Sequence, residues 1–164
     1  MTTSFPPDEE ITLMYRNPVP IEKIYEAWSA IADGRVRIAP DSNADEGQAE
    51  VISSSGEKTY LIRWADGGKV FSSTDNASFW RGYPGYPIIA VLMALGRLPY
   101  SEDTALQYKN VNWTEINKAR KGKYAEALAA VENGRNIDSE ANRLEAVKTY
   151  DALLALNITV KRKI

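Results

Sequence analysis

The apolar run Ile88-Ile89-Ala90-Val91-Leu92-Met93-Ala94-Leu95, bounded by Pro87 and Gly96, constrains the fold more than any other stretch of the chain. Proline suits the first turn of a helix and glycine its C-terminal cap, so the spacing predicts one helix that is apolar on every side. Such a helix is either fully buried, or half-buried with its second face at a subunit interface, which would make the protein a homodimer. It falls well short of the roughly 20 apolar residues that a membrane span requires.

The 164 residues, 44% apolar and 26% charged, are enough for one domain with its own core. A single domain over 1–164 is expected, with residues 1–10 disordered. Asp8, Glu9 and Glu10 stand where a secretory signal would carry bases, and no apolar stretch follows them, so the expected location is the cytoplasm. Asn-x-Ser/Thr triplets at Asn76, Asn112 and Asn157 then carry no weight.

The chain contains no cysteine and no histidine. Disulfides, thiolate zinc sites, cysteine nucleophiles, Ser-His-Asp relays and His-ligated metals all drop out. Carboxylates, lysine and tyrosine remain as acid–base groups, and each needs a large pKa shift to work near pH 7. No metal and no cofactor is expected, and an enzyme is not indicated.

Along the chain, Ile11, Leu13 and Tyr15 alternate like a short strand. Ile21, Ile24, Tyr25, Trp28 and Ile31 then follow one helical face that ends at Gly34, with Trp28 read as core. Arg35 to Ala39 alternates as a strand. Pro40 to Gly47 is an acidic loop without the ligand spacing of a calcium site. Glu50–Ser53, Lys58–Trp64 and Lys69–Ser73 read as three antiparallel strands, the last two joined by an Asp66-Gly67 turn, with Tyr60, Ile62 and Trp64 on one face. Thr74-Asp75-Asn76 supplies capping residues before a short helical turn at Ser78 to Trp80.

In the second half, Glu102-Asp103 charges the start of a helical segment, and Asn112 to Glu115 resembles a capping box. The helix that follows carries Trp113, Ile116, Tyr124, Leu128 and Val131, with Gly122 weak enough at its middle to divide it. A final helix starts near Asp138 or Ser139 and turns Leu144, Val147, Tyr150 and Leu154 inward. The tail 158–164 can add an edge strand. The fold class is therefore α+β: an N-terminal helix with an antiparallel β-meander, followed by a helical C-terminal half.

Two segments are candidate sites. In Phe79 to Pro87, prolines and glycines hold Trp80, Arg81, Tyr83 and Tyr86 where flat amphipathic faces can meet a protein partner or a small ligand, or simply fill a seam. The alternative is nucleic acid, bound through Lys118, Lys121, Lys123, Lys161, Arg162 and Lys163. Residues 1–50 hold ten acids and four bases, net −6, and residues 51–164 hold twelve acids and sixteen bases, net +4. That asymmetry is mild for a nucleic-acid binder, and an unbroken helix puts Lys118 and Lys121 on one side and Lys123 on the other. A carboxylate-dependent hydrolase is the third reading, with no acidic pair singled out. The aromatic segment in a non-enzymatic binding module is the reading carried forward.

Overall fold

A computed structural model describes Tyr15 and residues 17–164. The strand expected at Ile11 to Tyr15 therefore lies outside the described residues except for Tyr15, as do residues 1–10. The chain is α+β. Helix α1 (Glu22–Ala32) is followed by β1 (Val36–Ile38), β2 (Gly47–Ile52), β3 (Thr59–Ala65) and β4 (Val70–Ser73), then a π-helical turn (Ala77–Arg81) and α2 (Tyr86–Ala94). The second half holds α3 (Glu102–Leu106), α4 (Trp113–Ala119), α5 (Tyr124–Asn133), α6 (Ser139–Leu156) and β5 (Thr159–Lys161).

The sheet runs β1-β2-β3-β4-β5, antiparallel through β4. The meander thus has one more strand than the three-strand reading, because Val36–Ile38 pairs with Ala49–Val51. Its hairpin turn places Asp66, Gly67 and Gly68 all at positive φ. Pro40 to Gly47 is not free loop throughout, since Gly47 already pairs with Trp64. The tail returns as the edge strand β5, parallel to β4.

Helix α2 lies between two layers, with β1, β3 and β4 on one side and α1 on the other. This explains an octet with no polar face. Pro87 to Met93 are all buried within the one chain, so the second face of α2 meets α1 and not a subunit. Helix α1 in turn packs on α3, α5 and α6, and Lys23 to Ala30 are all buried. At its centre Trp28, Tyr25 and Tyr108 form a ring cluster with centroids 4.8–5.4 Å apart. Trp28 is core, as its stripe implied.

The 113–131 helix is two helices. Lys121 and Gly122 both take left-handed backbone (φ 55° and 77°), which ends α4 and restarts the chain as α5.

The inward face of α6 is a correction. Leu144 and Val147 are exposed, Tyr150 and Leu154 are half-buried, and the inner stripe is Asn142, Ala146, Thr149 and Leu153. Polar anchoring turns the helix this way. Asn142 donates to Gln107 Oε1 and to the Tyr108 hydroxyl, both at 3.0 Å, and the Thr149 hydroxyl donates to the Pro99 carbonyl at 2.7 Å. Hydrogen-bonded residues and small alanine therefore occupy the seam that the apolar periodicity assigned elsewhere.

No helix among the described residues is long and apolar enough to cross a membrane.

Candidate functional site: a polar cleft walled by tyrosines

A cleft of about 360 Å³ opens where α1, β3, the π-helical turn and the α4–α5 break come together. Helix α1 contributes Lys23 and Glu26, one turn apart. Although it faces the cleft, this pair is desolvated, with 7% and 3% of residue surface exposed. Lys23 Nζ lies 3.3 Å from each Glu26 carboxylate oxygen and 4.2 Å from the centroid of the Tyr124 ring. Burial alone would lower the Lys23 pKa, but Glu26, with Tyr124 and Tyr83, outweighs it and holds the ammonium above the ordinary lysine value. Lys23 is thus a fixed cation at neutral pH.

Tyrosines form the wall. Tyr60 comes from β3, Tyr83 from the loop after the π turn and Tyr86 from the start of α2, with Tyr60 and Tyr86 edge-to-face at 6.2 Å. Burial pushes Tyr83 up to about 12, against the pull of Lys23 and Arg81. Burial also raises Tyr86, against Arg35, and Tyr60, helped by Asp75. All three are neutral phenols near pH 7, able both to donate and to accept hydrogen bonds.

Asn117 closes the cleft from α4. Its Nδ2 donates to Glu26 Oε2 at 3.3 Å, while its Oδ1 is buried without a hydrogen-bond partner among the described residues. Reversing the amide would turn Oδ1 toward the Glu26 carboxylate, so repulsion fixes this orientation. Buried acceptors are normally satisfied, and Asn117 Oδ1 is an exception that its own burial closes off from the cleft.

Asp75 also lines the cleft, but as part of its frame. Its carboxylate accepts from the Ser73 hydroxyl and from the Ser78 backbone N–H at 3.1 Å, and the Ser78 hydroxyl accepts from Gly85 N at 2.9 Å. This knot stitches β4 to the π turn and to the entry of α2, and so sets where Arg81, Tyr83 and Tyr86 stand.

The structure divides the aromatic segment. Arg81, Tyr83 and Tyr86 line the cleft. Trp80 does not: it is 60% exposed, with the Arg162 guanidinium 5.1 Å from its ring. The segment is therefore not one flat aromatic face, because the π turn sends Trp80 outward and Tyr83 inward. Its glycines serve the chain itself. Gly82 takes φ 74°, and Gly85 is pressed against Asp75.

The six basic residues are spread over different settings. Lys118 lines the cleft, Lys121 sits at the α4–α5 break, and Lys123 is 3.7 Å from Glu126. Lys161 lies in β5, Arg162 donates through Nε to the Phe79 carbonyl at 3.0 Å, and Lys163 is exposed beyond the strand.

Sequence reasoning missed Lys23, Glu26, Tyr60, Asn117 and Tyr124 as members of a site. Lys23 and Glu26 fall off the apolar stripe of α1, and nothing local to them signals that α4 and α5 come to lie beside them. A groove of about 440 Å³ on the outer sheet face is a weaker candidate, since the charged residues lining it, Arg37, Glu50 and Arg63, are all exposed.

A family model described as Uncharacterised conserved protein UCP014422 matches residues 16–159. No curated protein and no solved structure matches the chain.

Proposed function

The chain belongs to this family of uncharacterised conserved proteins, whose model spans most of it, and we propose that this chain binds a small polar ligand in the tyrosine-walled cleft. The observation that carries this reading is the buried Lys23–Glu26 pair lining an open cleft. A buried ion pair rarely stabilises a fold better than apolar residues of similar size, so its presence at an open cleft favours a role in recognition.

Binding is favoured over turnover by the protonation states. Lys23 is held as an ammonium by Glu26, which leaves no free amine to act as a nucleophile. The Tyr83 phenol, pushed up to about 12, is a poor base near neutrality. In these protonation states the groups are suited to orient and hydrogen-bond a ligand at pH 7.

The test is a thermal-shift screen of small polar metabolites, run in parallel on the natural chain and on a Lys23→Met/Glu26→Leu double variant. Compounds should raise the melting temperature of the natural chain and not that of the variant, while the variant alone melts close to the natural value or above it. Stabilisation that is equal in both proteins, or lost only in variants of the outer sheet face, would remove the cleft as the site.

A further inference from the structure

We propose that the ligand is a small organic anion: a planar ring carrying a carboxylate or phosphate that Arg81 and Lys118 hold together. This rests on the cleft being the binding site. The cleft is lined by the cations Lys23, Arg81 and Lys118 and by the carboxylates Glu26 and Asp75, an excess of one positive charge. The internal pairing makes that excess specific. Glu26 is committed to Lys23 and Asn117, and Asp75 to Ser73 and Ser78. Arg81 and Lys118 are then the two lining cations with no ion pair among the described residues.

They come from separate elements, the π turn and α4, so an anion held by both bridges two parts of the fold. A guanidinium fork suits a carboxylate or phosphate edge, and an ammonium adds a point charge beside it. The ring follows from the wall: Tyr60, Tyr83 and Tyr86 present aromatic surface with neutral hydroxyls. Size sets the upper limit. At about 360 Å³ the cleft lies near the bottom of the range for small-molecule sites, which suits one ring with its acidic group and excludes a dinucleotide.

Matched pairs of probes test this by calorimetry: orotate against uracil for the carboxylate, and uridine 5′-monophosphate against uridine for the phosphate. All four carry a planar ring. At least one anion should bind about tenfold or more tightly than its neutral partner, as charge-assisted hydrogen bonds imply. That preference should vanish in an Arg81→Ala/Lys118→Ala variant and weaken with added salt, and whichever pair shows it identifies the acidic group. Both side chains are exposed, so an unchanged melting temperature checks that the variant folds.

Equal binding within both pairs, or an anion preference that survives the double substitution, would overturn the inference while leaving the cleft as a neutral-ligand site. Failure of all four probes would also overturn it. The reading of the cleft itself would then stand or fall on the broader screen with the Lys23/Glu26 variant.

Discussion

Lys23 Nζ stands 3.3 Å from Glu26 Oε1 one turn along α1, with side chains only 9% and 3% exposed. Ion pairs of the same spacing elsewhere, Lys123–Glu126 and Lys148–Glu145, involve more exposed side chains. The same i,i+3 spacing therefore has different energetics. The exposed pairs are worth a few tenths of a kcal/mol, whereas each member of the buried pair depends on the other to offset its desolvation.

Removing one member of the buried pair should cost far more than removing both. Lys23→Met leaves the Glu26 carboxylate buried beside Asn117 alone and is expected to cost about 3 kcal/mol. Lys23→Met with Glu26→Leu should return to within about 1 kcal/mol of the natural chain, or exceed it. Urea denaturation of the three proteins measures the cycle. If the single and double variants lose equal stability, the pair is a structural requirement of α1 and not an accommodation to the cleft.

Gly85→Ala should be among the most damaging small changes. Gly85 has φ −73°, so backbone freedom is not why glycine is needed there. A Cβ at Gly85 would lie 2.9 Å from Asp75 Cγ and nearer still to Oδ2, and Asp75 is pinned by Ser73 and Ser78. The carboxylate cannot yield without loosening the knot that enters α2, and a loss of about 2–3 kcal/mol is expected. Gly34→Ala is a useful comparison. It has open space around it but φ 68°, so its cost is about 1 kcal/mol of backbone strain. A Gly85→Ala midpoint equal to that of the natural chain would mean that Asp75 is free to move.

The Ser29 hydroxyl joins α1 to α4. It accepts from Trp113 Nε1 at 2.8 Å and donates to the Tyr108 carbonyl at 2.5 Å, and Ser29 is fully buried. Ser29→Ala would leave a buried donor and a buried acceptor unmatched at once, for an expected loss of about 2–3 kcal/mol. Ser29→Cys, with its weak donor and acceptor, should recover part of it. Denaturant midpoints in the order natural, Cys, Ala are expected, and an Ala variant as stable as the natural chain would show that water replaces the hydroxyl.

Much of the fold was legible because its signals are local. Pro87 and Gly96 framed α2, Asp66-Gly67 marked the β3–β4 turn, and the Ile24, Tyr25, Trp28 periodicity marked the inward face of α1. The face of α6 was not legible, because its seam is set by Asn142 and Thr149 finding partners on Tyr108 and Pro99, dozens of residues away. The cleft was half legible. Arg81, Tyr83 and Tyr86 stood out by composition, but Lys23 and Glu26 look like ordinary helix-surface charges until α4 and α5 come to lie beside them.

The revised face of α6 gives a direct test. Leu144→Ala removes a side chain that is 67% exposed and should change stability by less than about 0.5 kcal/mol. Leu153→Ala opens a cavity at a fully buried position and should cost about 2–5 kcal/mol. Comparable losses at the two sites would restore the apolar stripe as the inner face.

Alkaline pH should expose the buried phenols. Burial raises Tyr15, Tyr25 and Tyr83 to about 12, and raises Tyr60, Tyr86 and Tyr108 as well. In the unfolded chain these groups ionise near about 10. Below that pH both states keep their protons, and the phenols add no pH dependence. Above it the unfolded state loses protons first, so stability falls as pH climbs from about 10 toward the raised native values near 12. Lys23 has the same sign. Its folded pKa is raised, so its contribution is present below the ordinary lysine value of 10.5 and disappears as pH passes the folded value. Urea midpoints should hold level from about pH 8 to 9 and then decline, and the ultraviolet ionisation signal of these tyrosines should appear together with unfolding. Full ionisation of all nine tyrosines near their ordinary pKa in a chain that is still folded would show that the core and the cleft wall admit water freely.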